Sequence, residues 1–260
     1  MYGLRWLESS MTFHPVRLNV DDRVLPPNGA EDVWLTAKDG TRLHGWYFKG
    51  QREVPTATIV YFHGNGGNIS NVGWLGESLT KRGFCVLLFD YRGYGLSRGA
   101  TVDEADLYLD GEAAWEFVVN DKKAAAETVV LYGQSLGTAI AVETATRRKS
   151  GVLILESGFS SASSLAETAL PWLPTWLHGF GRNRFESARK LRTVRVPVLI
   201  SHGDPDPVIP TSEGRALFAA ANEPKNLLIV PGAGHNVFGS AGTAYLDQLE
   251  KFIRRATEPR

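Results

Sequence analysis

The residues from Val129 to Ala141 join an apolar, β-branched run to Gly133-Gln134-Ser135-Leu136-Gly137, followed by small residues suited to a helix. A serine at such a strand-to-helix turn, with a glycine two positions to either side, can be held in a strained backbone that lifts its hydroxyl clear of the strand end. The Leu136 backbone N–H then stands at a helix start, where it can stabilise an oxyanion. The chemistry this implies is nucleophilic attack on an acyl carbon. A serine hydroxyl needs a base for that, and the base needs an acid to orient it.

Both partners are expected in loops at strand ends further along the chain, the acid before the histidine. Of the six histidines, His14 precedes a proline, His44 sits in a hairpin pattern and His178 lies in a proline- and tryptophan-rich segment. His63 and His202 occur in His-Gly pairs after apolar runs, where a ring commonly packs structurally. His235 alone follows the last apolar run, in Pro231-Gly232-Ala233-Gly234-His235, whose glycines allow a loop back toward Ser135. His235 is therefore the expected base. Asp204 and Asp206 are the candidate acids; both precede prolines and so favour extended backbone, and two residues apart they point the same way. Local geometry does not separate them. Glu156, after an earlier run, reads as a buried, hydrogen-bonded structural carboxylate.

A second oxyanion donor is expected from His63-Gly64-Asn65-Gly66-Gly67-Asn68, where glycines let the backbone approach a developing charge closely. Such a loop could instead cradle a phosphate. However, no G-x-G-x-x-G opens a helix, and neither a P-loop lysine nor a suitably placed ribose-binding acid is present. No His, Asp, Glu or Cys set has ligand spacing, so the expected chemistry calls for neither metal nor cofactor.

The elements that must position these residues are legible as well. Glu31–Ala37 and Arg42–Lys49 alternate around Lys38-Asp39-Gly40-Thr41, the pattern of a β-hairpin with one wet face. Val16–Val20 is a candidate edge strand, and Pro26-Pro27-Asn28-Gly29 a turn. Then come continuous apolar runs at Ala57–Phe62, Phe84–Phe89, Thr128–Tyr132, Val152–Leu155, Val198–Ser201 and Asn226–Val230. Segments long enough for helices separate them, including Ile69–Lys81, Val102–Asn120 and Leu136–Arg148, and Ala241–Arg255 gives a last amphipathic helix. Strands apolar on both faces and alternating with helices predict an α/β fold. Its central sheet is mostly parallel, of about eight strands, with helices on both faces.

One interval breaks the rhythm. Between the sixth and seventh strands lies a segment too long for one crossover, with Phe159 and then Leu170-Pro171-Trp172-Leu173-Pro174-Thr175-Trp176-Leu177. It is read as a small cap at about residues 158–190, over the strand ends where open α/β sheets bind ligands. Phe159, Trp172, Leu173, Trp176 and Leu177 are its candidate substrate contacts.

The 260 residues are read as one domain, 43% hydrophobic and 22% charged. Twenty-eight basic against 28 acidic residues give no reason to expect a nucleic-acid partner. The single cysteine, Cys85, in an apolar run reads as a core residue, and no internal disulfide is possible. Met1–Met11, interrupted by Arg5 and Glu8, is too short to span a membrane and lacks the apolar centre of a signal peptide, so a cytoplasmic protein is expected.

Together these pieces resemble the α/β-hydrolase superfamily. They are most similar to its serine aminopeptidase-like branch, which includes eukaryotic α/β-hydrolase-domain proteins with depalmitoylase members. The resemblance is carried by Phe62-His63-Gly64-Asn65-Gly66-Gly67-Asn68, Asp90-Tyr91-Arg92-Gly93-Tyr94-Gly95-Leu96-Ser97, Gly133–Gly137, Leu155-Glu156-Ser157, Arg184-Phe185-Glu186-Ser187 and Val196–Gly203. It implies Ser135 as nucleophile and His235 as base. It implies Asp206 as acid, because the family pattern is His-Gly, two residues, then Asp. Leu136 and Asn65 would be the oxyanion donors. This chain departs from many members in two ways: it shows no membrane-anchoring apolar helix, and Val237-Phe238 stand after His235-Asn236 where an acidic residue is common.

The function implied is hydrolysis of a small carboxylic ester through an acyl-enzyme, with short-to-medium acyl or aryl groups under an aromatic cap. The alternatives are an acyl thioesterase or lysophospholipase using the same residues, a peptidase, or a noncatalytic binding protein. A peptidase that grips a free amine needs acids, and the cap segment offers only Glu167 and Glu186. Dehalogenase and epoxide hydrolase chemistry would place Asp at position 135.

Overall fold

A computed structural model describes residues 12–18, 24–51, 56–101, 103–169 and 182–257. Eight strands form one sheet: β1 (Ala30–Thr36), β2 (Arg42–Phe48), β3 (Thr58–Phe62), β4 (Cys85–Phe89), β5 (Val129–Gln134), β6 (Val152–Glu156), β7 (Val198–Asp204) and β8 (Lys225–Pro231). Their order is β1-β2-β4-β3-β5-β6-β7-β8. The β1–β2 hairpin joins antiparallel at one edge, and every other pairing is parallel. The order reverses at β3, which lies between β4 and β5. The crevice at the carboxyl ends of β3 and β5 is therefore the topological switch point, where such sheets hold ligands.

The continuous apolar runs follow from burial on both faces. Ile59, Tyr61, Val86, Leu88, Val130, Tyr132 and Ile154 face one core, with Leu75 and Leu79 of α1 (Gly73–Thr80) and Tyr245, Leu249 and Ile253 of α7 (Val237–Thr257). The alternate residues Val60, Phe62, Leu87, Phe89, Leu131, Leu153 and Leu155 face a second core. There they meet Leu107 of α2 (Glu104–Glu116), Ile140 of α3 (Leu136–Arg147), Leu191 of α5 (Ser187–Leu191) and Leu217 of α6 (Thr211–Ala220). Strand periodicity alone sends successive side chains to opposite cores. Cys85 is buried in β4, its sulfur accepting the Gly50 N–H at 3.3 Å.

Two expectations need correction. Residues 16–18 form no edge strand of the sheet. Instead His14–Pro15 pairs with Gly66–Gly67, and Arg17 bridges Gly95, so this segment lies across two glycine-rich loops; residues 19 and 20 are outside the described set. The hairpin has a wet face only on β1, because β2 is covered on both faces and everything after Arg42 in it is buried. The helix expected at Ala241–Arg255 is present, and a short helical turn from Val237 precedes it, the two meeting at Gly242 (φ 53°, ψ −132°), whose backbone is not helical. Between β6 and β7 the described part of the expected cap contains α4 (Ala162–Ala169) and α5. Residues 170–181, with Trp172, Leu173, Trp176 and Leu177, lie outside the described residues.

Helix α1 is seated tightly on β2: a Cβ on Gly76 would lie 2.4 Å from the Phe48 ring. Alanine is the better helix former by about 1 kcal/mol, but overpacking costs about 1–3 kcal/mol. Gly76→Ala is therefore expected to lower stability in urea denaturation, and a gain would contradict this packing.

Candidate active site

Ser135 stands between β5 and α3 with φ 54° and ψ −120°. This backbone costs about 1–3 kcal/mol for a non-glycine residue and persists only where neighbours enforce it. The enforcement is visible. A Cβ on Gly137 would lie 1.9 Å from the Phe62 carbonyl oxygen, and one on Gly133 would lie 2.5 Å from the Gly137 carbonyl oxygen. Only glycine at both places lets α3 close this tightly over β3 and β5. The Ser135 N–H donates to the Glu156 carbonyl at 2.9 Å, and Thr138 Oγ1 donates to the Ser135 carbonyl at 2.6 Å.

The hydroxyl so presented meets His235. Ser135 Oγ lies 3.1 Å from His235 Nε2, and His235 Nδ1 lies 2.8 Å from Asp206 Oδ2. A carboxylate beside Nδ1 selects the tautomer with the proton there, which leaves Nε2 as acceptor for the serine proton. Asp206 is itself fixed: Oδ1 accepts the Val208 and Ile209 N–H groups at 2.8 and 3.0 Å. His202 Nε2 lies 3.3 Å from Oδ2 and donates to the Ile209 carbonyl at 2.8 Å. Asp204, by contrast, ends β7 exposed and does not reach His235. The structure thus brings together Ser135, His235 and Asp206 out of three different loops, and leaves Asp204 aside.

The loop after β3 lies against the serine. A Cβ on Gly64 would stand 3.4 Å from Ser135 Cβ, which puts the next peptide, at Asn65, beside the nucleophile. As the first residue of α3, Leu136 has a backbone N–H with no acceptor inside the helix. The Asn65 side chain is engaged elsewhere: Oδ1 accepts the His14 N–H at 3.1 Å and the Tyr94 hydroxyl at 2.9 Å, and Nδ2 donates to the Thr12 carbonyl at 2.7 Å. What Asn65 can offer an oxyanion is therefore its backbone.

This loop rests on groups the sequence reading did not assign individually. Tyr91 donates to the His63 carbonyl at 2.9 Å, and the His63 ring packs on Tyr91 and Tyr94 at 4.3 and 5.2 Å between centroids. His63 Nδ1 donates to the Gly64 carbonyl at 2.7 Å, while Nε2 faces buried Asp90 at 3.5 Å. Asp90 accepts the Ile69 N–H at 2.9 Å. Burial pushes the Asp90 carboxyl up to about 8 against that hydrogen bond, and burial pushes the His63 imidazole down to about 4. Both groups are therefore held neutral beneath the loop at intermediate pH. The bracing by residues 12–18 has no signature in the sequence, because backbone carbonyls such as that of Thr12 carry no residue type. Phe159 is buried, packed edge-on to Phe185 at 6.0 Å.

Residues 53–188 match the family model described as serine aminopeptidase, S33. The Escherichia coli K12 protein YfhR is 36% identical over 251 residues, covering 92% of this chain and 86% of that one. Human alpha/beta hydrolase domain-containing protein 17B is 35% identical over 197 residues, covering 75% and 66%. Among solved structures, the Pyrococcus furiosus esterase Pf2001 superposes with a TM-score of 0.74 at 18% identity, over 95% of this chain and 98% of that one.

Because the folded protein keeps the Asp90 proton at pH values where an unfolded chain has released it, Asp90 costs the fold more as pH rises from about 4 to about 8. Asp90→Asn keeps an acceptor for the Ile69 N–H and does not titrate. Its stability relative to the parent, from urea denaturation, is expected to rise across that window by at most about 1.4 kcal/mol per pH unit. A flat difference would contradict a neutral Asp90.

Proposed function

The chain belongs to the serine aminopeptidase S33 family of the α/β-hydrolase superfamily, and on that footing we propose that it is a serine esterase acting on small carboxylic esters. The observation that carries this reading is the unbroken hydrogen-bonded line from Ser135 through His235 to Asp206, ending on a strained serine at the switch point of the sheet. Ser135 Oγ attacks the acyl carbon as His235 Nε2 takes its proton. The carbonyl π electrons move to oxygen, and that charge faces the N–H groups of Leu136 and Asn65. Collapse of the tetrahedral intermediate expels the alcohol with the proton from His235 and leaves an ester on Ser135. Water, deprotonated by His235, then releases the acid and restores the serine. Asp206 orients the imidazole and stabilises its charged form throughout.

An ester substrate also accords with the nature of the Pyrococcus furiosus neighbour, described as an esterase. A free-amine peptide fits less well: Glu186, one of two acids in the cap segment, is already paired with Arg189 at 2.5 Å. Of the apolar side chains expected to meet the acyl group, Phe159 is buried against Phe185, and Trp172, Leu173, Trp176 and Leu177 lie outside the described residues.

Ser135→Ala is expected to lower p-nitrophenyl ester turnover by at least ~10³-fold with an unchanged melting curve, and to abolish fluorophosphonate labelling. Turnover retained in this variant would contradict the mechanism. A chain-length series of matched oxyesters and thioesters should show higher kcat/KM for short-to-medium oxyesters. A consistent preference for thioesters would move the substrate class while leaving the residues in place.

A further inference from the structure

We propose that Glu156 is a positioning residue that sets the separation of Ser135 and His235, holding the nucleophile through its peptide and the histidine's helix through its carboxyl group. This rests on the serine esterase reading above. Glu156 ends β6 in register with Gln134 of β5, and its carbonyl accepts the Ser135 N–H at 2.9 Å. Its side chain turns into the core beneath the site, where Oε1 accepts the Phe238 N–H at 3.1 Å. Phe238 lies in the first turn of α7, three residues after His235, with no glycine between them. Asn236 closes that turn, its Oδ1 accepting the Gly239 N–H at 2.9 Å and its carbonyl the Ser240 N–H at 3.1 Å. The Phe238 ring is wedged between Trp74 and Tyr245, at 4.5 and 6.4 Å. One residue thus ties the strained serine to a stiff segment that carries the imidazole.

The carboxyl group has little freedom of its own. Its other oxygen accepts the hydroxyl of Tyr132, three residues before the nucleophile. Tyr132 Oη lies 3.5 Å from the hydroxyl of Tyr245, which is 2.5 Å from Ser201 Oγ on β7. Among the described residues Glu156 forms no ion pair. An apolar side chain would fill the same space at lower desolvation cost, so the polar group is explained by what it holds. Burial pushes the carboxyl above its ordinary range, and glutamine keeps its shape with one oxygen to accept the Phe238 N–H. Glu156 touches neither Ser135 Oγ nor the His235 ring; it acts through the backbone on either side of them.

The test compares Glu156→Gln with Glu156→Leu in the full chain, using p-nitrophenyl esters, and follows the downfield NMR resonance of the His235 Nδ1 proton. Leu keeps the bulk but offers Phe238 no acceptor. It is expected to lower kcat by about 10- to 100-fold with KM little changed, and to broaden or shift the His235 resonance. Gln should stay within about threefold of the parent and keep the resonance, since it retains the acceptor. Parent-like kcat in the Leu variant, or equal losses in Leu and Gln, would overturn the assignment. If the Leu variant does not fold, amide exchange in the parent decides: the Phe238 and Ser135 amides should open together, and fast exchange at Phe238 beside a protected Ser135 would overturn it. A parent that neither turns over esters nor takes fluorophosphonate would instead refute the esterase reading itself.

Discussion

A serine backbone at φ 54° does not hold itself, and most of the architecture around β5 can be traced to holding it. Two glycines let α3 descend onto β3 until a methyl group would collide with the Phe62 carbonyl. The neighbouring strand accepts the serine's N–H, and Thr138 ties down its carbonyl. With the backbone fixed on both sides, the hydroxyl has one direction to face, and the loops after β7 and β8 bring Asp206 and His235 to it. The strain is local, but its support comes from β3, β6 and α3.

The same economy of contacts runs beneath the site. Each central strand sends alternate residues to two cores, so the sheet is a rigid plate and its carboxyl edge a fixed line of attachment points. Buried polar groups gather near this edge: Asp90 and His63 under the glycine-rich loop, Glu156 with Tyr132 and Tyr245 under the nucleophile, and His202 behind Asp206. Buried polar groups are costly unless satisfied. Their concentration below the serine fits with fixing loops whose glycines would otherwise leave them loose.

Much of this was legible in the sequence because the signals were chemical or periodic. Runs such as Ala57–Phe62 and Val152–Leu155 announced strands buried on both faces, and the glycines around Ser135 announced a tight turn. The hairpin, Cys85 and buried Glu156 are where their residue types placed them. What escaped was set by tertiary contact. Local geometry left Asp204 and Asp206 equivalent; the family spacing pointed to Asp206, and it is Asp206 that lies against His235. Residues 16–18 alternate like a strand but are captured by the loop at Gly95, which bridges Arg17, and by Asn68, whose Nδ2 donates to the Val16 carbonyl at 3.3 Å. The short helical turn ahead of Gly242 escaped because Asn236 caps a segment that the apolar pattern does not reach.

In the proposed mechanism Ser135 carries the acyl group between two half-reactions. The most direct measurement is rapid quenching of the protein with a slowly deacylating p-nitrophenyl ester, followed by mass spectrometry of the peptide that spans residues 129–147. The expected result is a burst of p-nitrophenol matched by an acyl adduct on Ser135 of that peptide. Steady ester turnover with no adduct there, or with the adduct on another residue, would contradict it.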